Sequence, residues 1–138
     1  MPKYTASEEQ VVKDLVAPIA QAPGTITGTG IDCRGYDEAL IELAVGVIPS
    51  NGTLDVHIEE SASLSTGYAD ITDAVFAQKV AATGAKSYVG RLNLRERKRY
   101  IRAIAVIANQ TIPLYVGAIL SQAQVNPVAQ VNAVGFNV

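Results

Sequence analysis

Between Thr25 and Gln122 the chain never runs far without a turn signal, and between turns its apolar residues recur at every second position. Turns fall every ~8–15 residues, a spacing that suits short strands. A period of two sends alternate side chains to opposite faces of a strand. None of the intervals can hold a crossover helix, so parallel βαβ architecture is excluded. The clearest stretch is Ala39–Ile48, which follows Gly35-Tyr36-Asp37-Glu38. There Ile41, Leu43, Val45 and Val47 share one face, and Leu40, Glu42, Ala44 and Gly46 share the other. Pro49-Ser50-Asn51-Gly52 follows, and Asn-Gly is a strong hairpin signal. The next strand turns Leu54, Val56 and Ile58 inward and Asp55, His57 and Glu59 outward. The two strands are expected to form a hairpin.

Further strands are expected over Thr25–Asp32, Tyr68–Phe76 (interrupted by Asp70 and Asp73), Ser87–Leu94, Tyr100–Ala108 and Leu114–Gln122. Residues 95–99 are expected to form a charged hairpin tip between the third and fourth of these strands. The sum is seven or eight short strands, which predicts an all-β fold, an antiparallel β-sandwich of jelly-roll-like type. Three regions follow: an N-terminal arm over residues 1–23, the sandwich over 24–122 and a tail over 123–138. The arm is ambiguous. Ser7 and Gln10 resemble a helix capping box, and Val11, Val12, Leu15, Val16 and Ile19 keep helical spacing. Pro18 and the paired valines oppose a helix, so a short helix and an extended strand both stand. The tail is poor in charge and rich in Asn, Gln, Val and Ala.

Composition narrows the function. Hydrophobic residues make up 49 %, enough for a sizeable core, yet charged residues are only 17 %. Soluble domains average about 25 % charged. A chain with so few charges is short of polar surface, and burial between subunits is one physical remedy. The net charge of −2 gives no global field for nucleic acid or anionic membrane. No window holds the ~18 apolar residues of a membrane helix. The polar, acidic N-terminus does not read as a secretory signal, so the chain is expected to fold in the cytoplasm. The single Cys33 permits no internal disulfide.

No set of residues stands out as an active site, and the chain reads as non-enzymatic. His57 is the only histidine, outward between Asp55 and Glu59, with no nucleophile elbow to serve. It reads as a solvated or interface side chain. Cys33, beside Asp32 and Arg34, reads as a small buried hydrophobe. Asp70, Asp73, Glu59 and Glu60 could offer oxygen ligands to Ca²⁺, but the EF-hand pattern is missing and solvated acids are the default. No catalytic residue, cofactor or metal is expected.

The best candidate for a partner contact is the cation run Arg95, Arg97, Lys98, Arg99 and Arg102. It could be a solvated tip that blunts edge pairing, or a patch that meets acids on a partner. Arg99 and Arg102 are an odd number apart and cannot share a strand face, so the cluster wraps an edge. Asp37 and Glu38 are candidate partners within the protomer or across a symmetry axis, as is Asp32. Nucleic acid is the weaker reading, since no aromatics interleave the cations.

Three stretches carry a family resemblance: Gly30-Ile31-Asp32-Cys33-Arg34-Gly35-Tyr36-Asp37, Gly52-Thr53-Leu54-Asp55-Val56-His57-Ile58-Glu59-Glu60-Ser61 and Lys98-Arg99-Tyr100-Ile101-Arg102-Ala103. Over about residues 25–122 the chain resembles head decoration, cement or minor capsid proteins of tailed bacteriophages. The middle stretch looks like that family's strand, Glu-Glu-Ser and Ser/Thr-Gly loop. Residues 123–138 depart from the pattern by running past where such chains stop. The resemblance implies a virion protein at the capsid surface, a homotrimer that binds the major capsid protein lattice and stabilises the head. The alternative is a sugar- or surface-binding sandwich of a phage fibre or tail. Absent Trp and only two Phe weigh against that alternative.

Overall fold

The computed structural model of the chain describes residues 9–124. Its strands are β1 (Val11–Gln21), β2 (Gly24–Thr27), β3 (Ile31–Asp32), β4 (Tyr36–Val45), β5 (Thr53–Ser61), β6 (Ala69–Val75), β7 (Lys79–Val80), β8 (Lys86–Asn93), β9 (Tyr100–Ala108) and β10 (Ile112–Ala123). A single turn of 3₁₀ helix, Ala81–Thr83, follows β7. No helix among the described residues is long and apolar enough to cross a membrane.

The strands form two antiparallel sheets. One is ordered β1-β10-β4-β8 and the other β2-β9-β5-β6, with the short β3 and β7 attached to β9 and β5. Counting the eight longer strands in sequence, the two orders are 1-8-3-6 and 2-7-4-5. That is the jelly-roll wrapping of a double-sheet sandwich. The expected fold class therefore holds, down to the eight principal strands.

The core lies between the sheets. Ala39, Ile41, Leu43 and Val45 of β4 face Leu54, Val56 and Ile58 of β5 and their neighbours across the gap, all at most 5 % exposed. Burying each of these larger aliphatic side chains contributes about 1.5–3 kcal/mol. Val116, Ala118 and Leu120 of β10 and Ile101, Ala103 and Ala105 of β9 complete the centre. The run of alanines lets the two sheets approach closely.

Two expected hairpins are not hairpins. β4 lies in the first sheet and β5 in the second, so Gly46–Gly52 is a crossing between layers. Asn51 does take the left-handed conformation (φ 67°) and Gly52 N–H donates to Pro49 O at 3.0 Å, so the turn is real. Gly46 N–H, however, donates to Pro113 O on β10, and Ile48 plugs the core at 4 % exposure. The chain has already bent away, and Val47, expected to share the face of the buried Ile41, Leu43 and Val45, is 72 % exposed. Residues 95–99 likewise carry the chain from β8 in one sheet to β9 in the other.

The segment set apart as an arm is, from Val11 to Gln21, an edge strand of the first sheet, paired to β10 from Val11↔Leu120 to Gln21↔Ile112. Its extended form wins because Val11, Leu15 and Val16 are buried against the core. The register shifts between Val16 and Ile19 absorb Pro18. An edge strand tolerates a residue with no amide hydrogen. Beyond β1, the Gly28–Thr29 backbone stitches the layers together. Gly28 N–H donates to Ala103 O at 2.8 Å on β9, and Thr29 N–H donates to Leu15 O at 2.9 Å on β1. The expected tail begins at the end of β10, and its residues 125–138 lie outside the described residues.

Candidate functional site

The cation run occupies one rim of the sandwich. Leu94 anchors it, 7 % exposed and donating its N–H to Asp37 O at 2.9 Å. Asn93 Oδ1 accepts from Arg95 N–H at 3.0 Å and Glu60 Oε2 accepts from Lys98 N–H at 2.8 Å, which fixes the loop at both ends. The side chains then fan out to acids of the same protomer. Arg95 meets Asp37 at 3.3 Å, Arg97 meets Glu60 at 3.6 Å, and Arg102 meets Glu59 at 2.6 Å. Arg99 grips Asp32 with two bonds, 3.1 Å from Nε and 2.7 Å from Nη2. That grip, aided by the Arg34 N–H, holds the Asp32 carboxyl below its ordinary range against a weaker desolvation.

The candidate residues are thus brought together, but largely in mutual pairs. Asp37 serves Arg95, whereas Glu38 accepts from Gln122 Nε2 at 2.9 Å and meets no arginine. Arg99 and Arg102 diverge as their spacing required: Arg99 precedes β9 and turns to β3, while Arg102 stands on the outer face of β9. Among the described residues the Lys98 ammonium and the Arg34 guanidinium have no ion-pair partner. A cleft of about 580 Å³ opens beside them, lined by Cys33, Tyr36, Asp37 and the loop from Leu94 to Arg99. Burial pushes the Cys33 thiol up to about 12, so it offers no thiolate nucleophile. The cleft, with Arg34 and Lys98 among its lining, can hold an anionic or polar surface.

A second constellation lies on the outer face of the β2-β9-β5-β6 sheet. His57 and Glu59 point the same way from β5, and Asp70 of β6 stands opposite Glu59. His57 Nε2 lies 3.2 Å from Asp70 Oδ1 and 3.8 Å from Glu59 Oε1. The guanidinium of Arg102 binds the other oxygen of Glu59 and lies 4.0 Å over the Tyr68 ring. Sequence alternation put His57 and Glu59 on one face. It could not supply Asp70, which depends on the β5–β6 register, nor the pairing of Arg102 and Arg97 with Glu59 and Glu60.

The outer face of the other sheet is smoother. Val12, Ile119 and Leu40 align across β1, β10 and β4, with Arg91 of β8 next in the row. In the adjoining row the Tyr115 ring lies across Gly117, filling the space a Cβ would take. Its hydroxyl donates to Asp14 Oδ1 at 3.1 Å. Burial, then that carboxylate, pushes the Tyr115 phenol up to about 12. Val12 and Val89 remain 38 % and 58 % exposed, so the face offers apolar area between charges such as Asp14, Glu42 and Arg91.

No protein-family model matches the chain, and no curated protein matches it in sequence. Among solved structures, the crystal structure of the SPBc2 prophage-derived protein YomS is similar, with a TM-score of 0.53 at 8 % identity. The alignment covers 82 % of this chain and 93 % of that one, so nearly the whole sandwich of YomS has its counterpart here and the two share a fold.

Proposed function

We propose that this chain is a non-enzymatic phage structural protein that binds the assembled capsid as a decoration or cement protein. The observation that carries the reading is the sandwich shared with a prophage-derived protein over 93 % of that protein's length. The surface chemistry supports it. The rim cations are mostly neutralised within the protomer, and the outer face of the β1-β10-β4-β8 sheet is partly apolar, with Val12 and Val89 exposed. Such a face suits docking against a broad protein surface better than grasping a small molecule.

On this reading three copies assemble, and the trimer meets a composite site on the major capsid protein lattice. Each further contact is then intramolecular, and avidity multiplies a modest single-site affinity. Lys98 and Arg34, without an ion-pair partner among the described residues, supply charge for a partner, and the protein ends in the virion on the capsid surface.

Two measurements test this. Size-exclusion chromatography with light scattering should give a trimer; a stable monomer at micromolar concentration removes the threefold arrangement. Expanded empty capsids of the parent phage should bind the protein saturably, and Lys98→Glu should weaken that binding more at low salt than at high salt. No binding to capsids, together with selective retention on a glycan array, would replace the proposal with a sugar-binding fibre or tail module.

A further inference from the structure

The outer-face constellation of His57, Glu59 and Asp70 has the donors and spacing of a metal centre. We propose that it binds one first-row divalent cation of the zinc type, with His57 Nε2, Glu59 Oε1 and Asp70 Oδ1 as its protein ligands. This assignment is independent of the capsid reading.

The spacing is the first argument. The three donor atoms lie within 4.8 Å of one another. At metal–ligand bonds of about 2.0–2.1 Å, a tetrahedral ion sets its ligand atoms roughly 3.3–3.4 Å apart. The His57–Asp70 and His57–Glu59 separations of 3.2 Å and 3.8 Å bracket that value, and both are measured from the same ring nitrogen. One nitrogen thus faces two carboxylate oxygens, as it would across a shared ion. A small side-chain rotation closes the longer edge.

The division of labour at Glu59 is the second argument. Its Oε2 is taken by Arg102 Nε at 2.6 Å, while Oε1 is turned toward His57. Arg102 is itself held over Tyr68. Glu59 is only 15 % exposed, so its carboxylate is locked with one oxygen presented to the site. Fixing a ligating carboxylate through its second oxygen is what supports a metal ligand from outside the coordination sphere. An imidazole with two carboxylates selects zinc-like ions over Ca²⁺, which prefers an all-oxygen shell of six to eight ligands. Three protein ligands leave a further coordination position to water.

The site also falls where the sheet needs a brace. The β5–β6 ladder runs Glu60↔Ala69 and Glu59↔Asp70, then resumes only at His57↔Val75. Ile58 alone on β5 therefore stands opposite Ile71–Ala74 on β6, with Asp73 at φ 66° inside the bulge. A cation shared by His57, Glu59 and Asp70 would cross-link the two strands at the interruption and fasten β6, an edge strand of its sheet.

Isothermal titration of the full chain with Zn²⁺ alone tests the site, with Ca²⁺ as the contrast. The expected result is one Zn²⁺ per chain with a Kd below about 100 µM, Ca²⁺ binding far more weakly, and a loss of at least about tenfold in His57→Gln and in Asp70→Asn. All three ligands face outward, and circular dichroism of both variants without metal checks that each is folded. Hydrogen exchange supplies the second readout: Zn²⁺ should slow amide exchange across Ala69–Val75 in the wild type and leave both variants unchanged. Absence of saturable binding, equal binding by the two folded variants, or a preference for Ca²⁺ would each overturn the assignment.

Discussion

Arg102 and Glu59 are direct strand partners across β9 and β5, and their side chains meet at 2.6 Å on the outer face of the sheet. They are 25 % and 15 % exposed, and the guanidinium also covers the Tyr68 ring. Removing the arginine leaves a half-buried carboxylate without its donor. Arg102→Ala should therefore cost about 2–3 kcal/mol. In a chain of this size that lowers Tm by roughly 6–10 °C. Arg95 is 65 % exposed over Asp37, so Arg95→Ala should cost less than about 0.5 kcal/mol. Thermal denaturation of the two variants side by side decides the ranking, and equal losses would refute it.

Gly28 sits between two backbone oxygens of opposite layers. A Cβ there would fall 2.5 Å from Leu15 O and 2.7 Å from Ala103 O. Neither can swing aside as a side-chain tip could. Gly28→Ala should destabilise by about 3 kcal/mol or more, seen as a drop in the urea midpoint. A variant within about 1 kcal/mol of wild type would mean that the seam between β1 and β9 slides freely.

Cys33 is 5 % exposed, and its thiol is pushed up to about 12. Alkylation at pH 8 should be slow in the folded protein and fast in urea. A folded-state value raised above the unfolded one contributes stability that is complete below the ordinary thiol value of 9.0 and is lost as pH climbs toward about 12. Cys33→Ala should lose that alkaline component. Rapid labelling of native protein would contradict the burial.

Asp32 shows the opposite sign. Its carboxyl is held low by Arg99, so the pair contributes stability above the unfolded carboxylate value, about 3.9, and loses it as pH falls through the folded one. The Tm gap between wild type and Asp32→Asn should be present at pH 7 and close below about pH 4. A gap that persists at pH 2 would show that the asparagine acts through packing.

Alternation made the inner faces of β4 and β5 legible residue by residue, because a period of two states which side of a strand is buried. It does not state which sheet a strand joins. The Asn51-Gly52 turn looks the same whether the flanking strands pair or part, and here Gly46, Ile48 and Pro49 carry the chain across the gap. β1 stayed ambiguous between helix and strand for a related reason: its apolar residues keep helical spacing while Pro18 opposes a helix, and an edge strand with shifted register accommodates both. The rim showed its cations and two of its acids, Asp32 and Asp37. Glu59, Glu60 and Asp70 became partners only through the β5–β9 and β5–β6 registers, which local sequence does not encode.

The pairing of β1 with β10 has a practical consequence. Val11 and Leu120 are strand neighbours, and Gln124 N–H bonds to Gly35 O, so the chain enters and leaves the sandwich side by side. Gln124, just past β10, lines the cleft that Arg34 and Lys98 also line. The same adjacency makes the topology nearly circular. A linker from the end of β10 back to the start of β1 would close the ring, and new ends opened at Pro49–Gly52 would leave every strand whole.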